Sequence, residues 1–151
     1  MNILKVFTDK RRKGNVGEDA AAKFLRKNGY KILERNFVGD GSEIDLIAKN
    51  RKDGTTVFVE VKTRSVDKTG GYESRPAAAV TPEKQRKIIF ASKIYMSRMH
   101  LKTKMRYDVI EVLLENIDGK EKIADIRHLI SAYDYNTAYD AKYFYSKRKD
   151  Y

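Results

Sequence analysis

Three residues in the first half of the chain have the types and spacing to do chemistry on a phosphate: Asp45, Glu60 after fourteen intervening residues, and Lys62 two positions further on. Side chains on a strand alternate between its faces. Glu60 and Lys62 therefore project from one face, about 6 to 7 Å apart along the strand, and Val61 from the other. If the strands Glu43–Ala48 and Thr55–Lys62 form a hairpin around Arg51-Lys52-Asp53-Gly54, pairing Asn50 with Thr55 sets Asp45 across from Glu60 and Glu43 across from Lys62. Directly opposed side chains have Cβ atoms roughly 5 Å apart, and like charges there repel unless something positive lies between them. Hard oxygen donors suit Mg²⁺ or Mn²⁺, and Mg²⁺ takes one or two carboxylates and completes its shell with water and phosphate oxygens. The Val61 carbonyl is a further candidate donor. Such a site permits metal-assisted phosphodiester hydrolysis, with Lys62 orienting water or stabilising transition-state charge. In the competing arrangement Lys62 pairs with Glu43 while Asp45 and Glu60 face solvent. Both acids lie in otherwise apolar strands, Ile44–Ala48 and Val57–Val61, where strand propensity disfavours them, and this favours a site.

The elements that must position these residues can be read from capping signals and periodicity. Asn15 is a good N-cap, with Glu18 three residues later as in a capping box, so a helix is expected from Asn15 to Asn28, ending before Gly29. The capping box and the helix dipole already account for Glu18. It shares a helix face with Ala21, Ala22 and Leu25, however, and that face can turn towards the sheet. Strands are expected over Tyr30–Phe37, Glu43–Ala48 and Thr55–Lys62, with a polar break at Gly39 to Ser42. Thr81 before Pro82 starts a second helix ending near Met99, and Met105–Leu114 and Lys122–Ile130 read as two more strands. Helix, three strands, helix, two strands makes an α/β fold, a mixed central sheet flanked by helices.

The chain has 151 residues, enough for one such domain, and no cysteine, which excludes disulfides, thiolate metal sites and cysteine nucleophiles. Lys and Arg number 32 against 21 Asp and Glu, a net charge of +11, which points to a polyanionic partner or simply a basic surface. The basic residues run all along the chain, as in Lys10 to Lys13, Lys84 to Lys87 and Lys147 to Lys149. No apolar run approaches the ~20 residues needed to span a bilayer, and Met1 to Phe7 lacks the pattern of a signal peptide; a cytoplasmic location is expected. The loops at Lys49 to Gly54 and Ser65 to Arg75 read as connections within a domain.

The order of Gly17-Glu18-Asp19, Gly29-Tyr30, Arg35-Asn36, Glu43-Ile44-Asp45-Leu46-Ile47, Phe58-Val59-Glu60-Val61-Lys62-Thr63-Arg64, Tyr107-Asp108-Val109 and the closing His128-Leu129-Ile130-Ser131-Ala132-Tyr133 resembles the YraN-like family of uncharacterised bacterial proteins. The Asp, Glu-x-Lys pattern within it is similar to the signature of the restriction-endonuclease-like superfamily. That resemblance implies a mixed-sheet nuclease core like that of archaeal Holliday-junction resolvases. It also implies metal roles for Glu18, Asp45 and Glu60 and a catalytic role for Lys62. The family usually carries glycine where this chain has Ser42, before the Glu-Ile-Asp triplet. The resemblance covers Gly14 to Tyr133, so the expected domain is 1–133, with 1–13 a basic extension and 134–151 a tyrosine-rich basic tail.

Arg64, Lys84, Arg86 and Lys87 are the candidate phosphate contacts, with Lys93 beside them; each is equally readable as solvated surface. Arg64 has Glu43 or Asp67 as alternative partners. Tyr135, Tyr139 and Tyr143 recur every four residues, a stripe that packs on its own domain or a partner more often than it stacks bases. His100 and His128 have no motif spacing and read as structural. The leading expectation is a metal-dependent endonuclease acting on DNA, with branched or structured DNA suggested by the resolvase resemblance and a homodimer conceivable. The rivals are a non-catalytic nucleic-acid-binding protein whose acidic site is vestigial, and a homo-oligomeric scaffold assembled through the tyrosine-rich tail.

Overall fold

The computed structural model describes residues 3–66 and 80–139, with side chains from 11 onward. The loop beyond Val66 that includes Asp67, the third tyrosine of the stripe at Tyr143, and the basic run Lys147 to Lys149 lie outside the described residues. The elements are α1 (Ile3–Lys27), β1 (Tyr30–Gly39), β2 (Ser42–Asn50), β3 (Thr56–Ser65), α2 (Pro82–Arg98), β4 (Met105–Ile117) and β5 (Lys120–Tyr133). All five strands lie in one sheet in sequence order, antiparallel except for β3 beside β4. Only the β3 to β4 connection must cross back over the sheet, and α2 makes that crossing. The mixed sheet between helices is the expected α/β class.

Each face of the sheet has its own apolar layer. Against α1 pack Leu46, Ala48, Val57, Val59, Ile110 and Val112, meeting Ala21, Ala22 and Leu25. Against α2 pack Ile47, Phe58, Tyr107 and Val109, meeting Ile88, Ile89 and Tyr95. The alternation of Val57, Val59 and Val61 with Phe58, Glu60 and Lys62 thus distributes β3 between two buried faces. Near the middle of the sheet both faces are apolar; polar residues are admitted towards its ends.

The start of α1 differs from expectation. The helix runs through Gly14 and Asn15 from Ile3, so Asn15 is an interior residue and not an N-cap, and residues 3–13 are helix, not an extension before it. An N-cap signal is worth only ~1 kcal/mol, and the Lys10 to Lys13 run consists of good helix formers. The capping explanation of Glu18 falls with it. At the other end Gly29 takes φ 86°, the left-handed turn that lets the chain reverse into β1. Helix α2 begins as expected, with the Thr81 hydroxyl accepting from Lys84 N and Pro82 at the first helical position. The packed unit also extends past Tyr133: Ala138 is fully buried in the α2-side core, and Arg86 Nη1 donates to its carbonyl at 3.0 Å. No described helix is long and apolar enough to cross a membrane.

Candidate active site

Strands β2 and β3 pair with Leu46 opposite Val59 and Lys49 opposite Thr56, the register expected from the Asn50–Thr55 closure. One step beyond Leu46 and Val59, where counting places Asp45 against Glu60, the backbone ladder ends. There the Asp45 side chain takes over from the backbone, its Oδ2 accepting from Val61 N at 2.7 Å. The two carboxylates consequently stand together where β2 leaves β3. Glu43 has left the β3 ladder and pairs instead with Val38 on β1, so it does not meet Lys62 in the way the alternative arrangement required.

Glu60 is 5% exposed. Its Oε1 lies 3.3 Å from Lys62 Nζ and 3.9 Å from Lys84 Nζ, while its Oε2 is buried without a hydrogen-bond partner among the described residues. Burial, then repulsion from Glu60, pushes the Asp45 carboxyl up to about 7, against the opposing pull of the Val61 N–H. A group that would ordinarily ionise near 4 is thereby poised to share a proton or a cation with its neighbour.

Glu18 approaches from the α1 side of the sheet, beneath the same end. Its carboxyl is raised chiefly by burial, a shift opposed by Arg35, whose Nη2 is 3.9 Å away and also holds Asp19 at 2.7 Å. Asn36, at φ 53°, turns its carboxamide between two acids and, oriented to donate, reaches Glu18 Oε2 at 3.1 Å and Glu43 Oε1 at 2.9 Å. The Glu18 charge is felt at Asp45. Among the described residues, though, no three of His, Asp and Glu are gathered closely enough to hold an ion by themselves.

The expected phosphate contacts divide. Lys84 joins the site through Glu60. Arg64 lies on the Glu60–Lys62 face but pairs with Glu111, Nε to Oε1 at 3.3 Å, and not with Glu43. Arg86 is partly spent on the Ala138 carbonyl, and Lys87 forms an exposed pair with Glu83 one turn earlier. Tyr135 and Tyr139 stack on each other at 4.3 Å, with Lys93 Nζ 4.8 Å from the centre of the Tyr135 ring.

Reading from the sequence missed Glu111, Asn36 and Tyr133. Glu111, 1% exposed, is brought beside Lys62 by the parallel β3–β4 register. The available signal was an acid inside the otherwise apolar run Val109 to Leu114. The Tyr133 hydroxyl is buried without a partner among the described residues, and burial together with the Glu60 charge pushes its ionisation upward. His128 is structural, as expected: its Nε2 lies 2.8 Å from Asp108 Oδ2, which also accepts from Arg106 at 2.8 Å, while Ser131 N donates to Oδ1 at 3.0 Å.

A hard divalent cation fits the donor set. Two carboxylates repel each other, one of their oxygens is buried without a partner among the described residues, and the carboxylate oxygens supply the ligands Mg²⁺ or Mn²⁺ prefer.

Compared with known proteins, residues 17–112 match the profile of the uncharacterised protein family UPF0102. The chain is 44% identical over 127 residues to a UPF0102 protein of Pelobacter propionicus, covering 83% of this chain and 85% of the relative. To a UPF0102 protein of Trichlorobacter lovleyi it is 43% identical over 122 residues, covering 80% and 89%. Among solved structures it is similar to SfsA of Pyrococcus furiosus, described in complex with Ca²⁺, at a TM-score of 0.36 and 13% identity, covering 74% of this chain and 63% of that one.

Proposed function

The chain belongs to the uncharacterised protein family UPF0102, whose name assigns no activity, and from its own side chains we propose that it is a metal-dependent endonuclease hydrolysing phosphodiester bonds in DNA. One observation carries the reading: Asp45 and Glu60 meet at the end of the β2–β3 pairing, unevenly neutralised, with Lys62 on the same face. Burying two adjacent acids costs stability, and a fold retains such a cost where function needs the charge.

Asp45 and Glu60 would hold Mg²⁺ or Mn²⁺, with the Val61 carbonyl as a further donor and Glu18 contributing its charge from the α1 side. Such an ion, once bound, would supply Lewis acidity, lowering the pKa of water and polarising a phosphoryl oxygen. The protein's own groups do the rest. Glu60 fixes Lys62, whose ammonium donates to a non-bridging phosphate oxygen and offsets the charge that builds as water adds to phosphorus and the ester oxygen departs. Lys84 and Arg64 flank that face and hold the backbone of the strand being cut, with Arg86 and Lys87 further along α2. Asp45, kept in place by the Val61 N–H, stays correctly aimed without having to move. The resolvase resemblance suggests branched or otherwise structured DNA as substrate.

The test is cleavage of linear, single-stranded, flapped and four-way-junction DNA with Mg²⁺ or Mn²⁺. Glu60→Gln and Lys62→Met should each lower cutting by a factor on the order of 10² to 10⁴ while leaving DNA affinity within a few-fold. Undiminished cutting in both variants rejects the assignment.

A second reading, a nucleic-acid-binding protein without catalysis, is favoured by the two lysines already facing Glu60 and by the lack of a third acidic or imidazole ligand beside the pair among the described residues. Titration with Mn²⁺ separates the two. A working site raises the melting temperature with cation concentration and loses that rise in Glu60→Gln; a vestigial one shows no rise.

A further inference from the structure

The end of the sheet opposite the acid pair carries a concentration of positive charge that the site does not use. Three segments meet there. The α1–β1 turn brings Arg26, Lys27 and Lys31; the β2–β3 turn brings Lys49, Arg51 and Lys52; the approach to β4 brings Lys102 and Lys104. Backbone hydrogen bonds fasten them together, Arg51 N to Gly29 O at 3.1 Å and Thr56 N to Lys104 O at 2.9 Å, with the Thr56 and Thr103 hydroxyls 2.7 Å apart.

All eight of these cations are exposed, and none is in a salt bridge with a carboxylate among the described residues. Asp53, the acid within these segments, spends Oδ1 on the Thr55 N–H that closes the turn. Elsewhere many of the described basic residues have carboxylate partners, as Arg12 and Lys13 have Glu121 and Arg35 has Asp19. The contrast is sharpest at Lys31, directly opposite Lys49 in the β1–β2 pairing. Like charges facing each other across an antiparallel pair cost stability.

We propose that this end of the sheet is a second nucleic-acid contact, a surface that grips the phosphate backbone of a segment other than the one at Asp45 and Glu60. From Thr56 to Glu60 is four residues along β3, on the order of 13 Å at the rise of a strand. A single bound polynucleotide that wraps the molecule, or a second arm of a branched one, spans that separation. An anionic membrane surface suits the patch less well. Binding of that kind uses apolar side chains to enter the lipid boundary, and of the exposed large apolar residues among those described only Met99 adjoins these segments. Phosphate contacts need only cations at the tips of rigid turns.

The inference needs a nucleic-acid partner but not cutting, so it is tested without metal. Lys31→Gln, Lys49→Gln, Lys52→Gln and Lys104→Gln are combined, and binding to a duplex of about 30 base pairs is titrated against salt in a chelator. A control carries the same charge change elsewhere, at Arg12, Lys120, Lys122 and Arg127. Melting temperatures verify that both proteins fold. The basic-end variant should bind at least about tenfold more weakly at about 50 mM salt, its salt dependence shallower by roughly one for each lysine that contacted phosphate, and the control should stay within about threefold of the parent. An equal loss in the control, or an unchanged salt dependence in the basic-end variant, overturns the proposal. So does an unchanged DNA affinity accompanied by lost binding to vesicles containing phosphatidylserine. Because chelated protein cannot show metal-dependent cutting, this outcome is independent of the nuclease reading.

Discussion

Replacing Asp45 by asparagine should stabilise the metal-free protein, and the gain should depend on pH in a defined sense. Burial and the Glu60 charge raise the Asp45 carboxyl from 3.8 to about 7, so the folded state holds its proton more tightly than the unfolded chain does. Folding is therefore opposed by ionised Asp45, increasingly as pH rises from about 4 towards 7 and fully above that window. The span from 3.8 to about 7 corresponds to no more than ~4 kcal/mol. Because Asp45 is partly exposed and shares its charge with Glu60, about 2 kcal/mol is the expected share. Asparagine keeps an oxygen for the Val61 N–H and offers its amide N–H groups to Glu60, so removing the charge does not empty the position. Urea denaturation in a chelator at pH 8 should show the variant more stable by about 2 kcal/mol, equivalent to a melting temperature higher by roughly 4 to 8 °C. At pH 5 most of the difference should disappear, since the parent carboxyl is then protonated in the fold. A variant less stable at pH 8, or equally stabilised at both pH values, would show that the acid pair is not strained by its own charge.

Two further substitutions probe the frame around the site. Gly17 lies where α1 crosses β3, and a Cβ there would overlap the Thr63 hydroxyl. Gly17→Ala should therefore cost about 1 to 3 kcal/mol in denaturation, and Thr63→Ala should restore part of it; no cost would place the helix farther from β3. Asp108 is fully buried, and its carboxyl is held below the ordinary value: burial acts to raise it, but hydrogen bonds from His128, Arg106 and the Ser131 N–H outweigh that. Asp108→Ala should cost about 3 to 5 kcal/mol at neutral pH, because buried donors lose their acceptor. A depressed carboxyl stabilises above its unfolded pKa, so the difference from the parent should narrow as pH falls below about 4. An equal difference at pH 3 and pH 7 would refute the charge-based account.

The legible part of the site is the part that depends on local rules. Alternation along β3 assigns Glu60 and Lys62 to one face. The length of the Arg51 to Gly54 turn sets the β2–β3 register, from which Asp45 follows by counting. Glu111 was not legible in this way, because its place beside Lys62 depends on a parallel pairing reached through α2, and no local signal states the register of two strands joined by a crossover. Asn36 was hidden for a different reason. Its left-handed backbone comes two residues after the β1–β2 pairing shifts register between Ile32 and Glu34, so period-2 counting from the start of β1 no longer says which way the residue faces. Asn15 misled because a capping pattern is informative only where a helix actually begins.

The same features explain why charge collects at the ends of this sheet. Between α1 and α2 both faces of the paired stretch of β2 and β3, Leu46 to Ala48 against Val57 to Val59, are apolar, and a carboxylate there would be buried with nothing to ionise against. Where β2 parts from β3 the backbone ladder stops, and the freed Val61 N–H is satisfied by Asp45, not by a main-chain carbonyl. The acid therefore completes the hydrogen bonding of a terminating ladder as well as charging the site. This double role makes a specific demand on substitutions: asparagine at position 45 can serve the ladder without the charge, whereas alanine serves neither. Asp45→Ala should lose the stability that asparagine gains, and because both variants lack the charge, a comparison of the two at pH 8 isolates the hydrogen bond at one position.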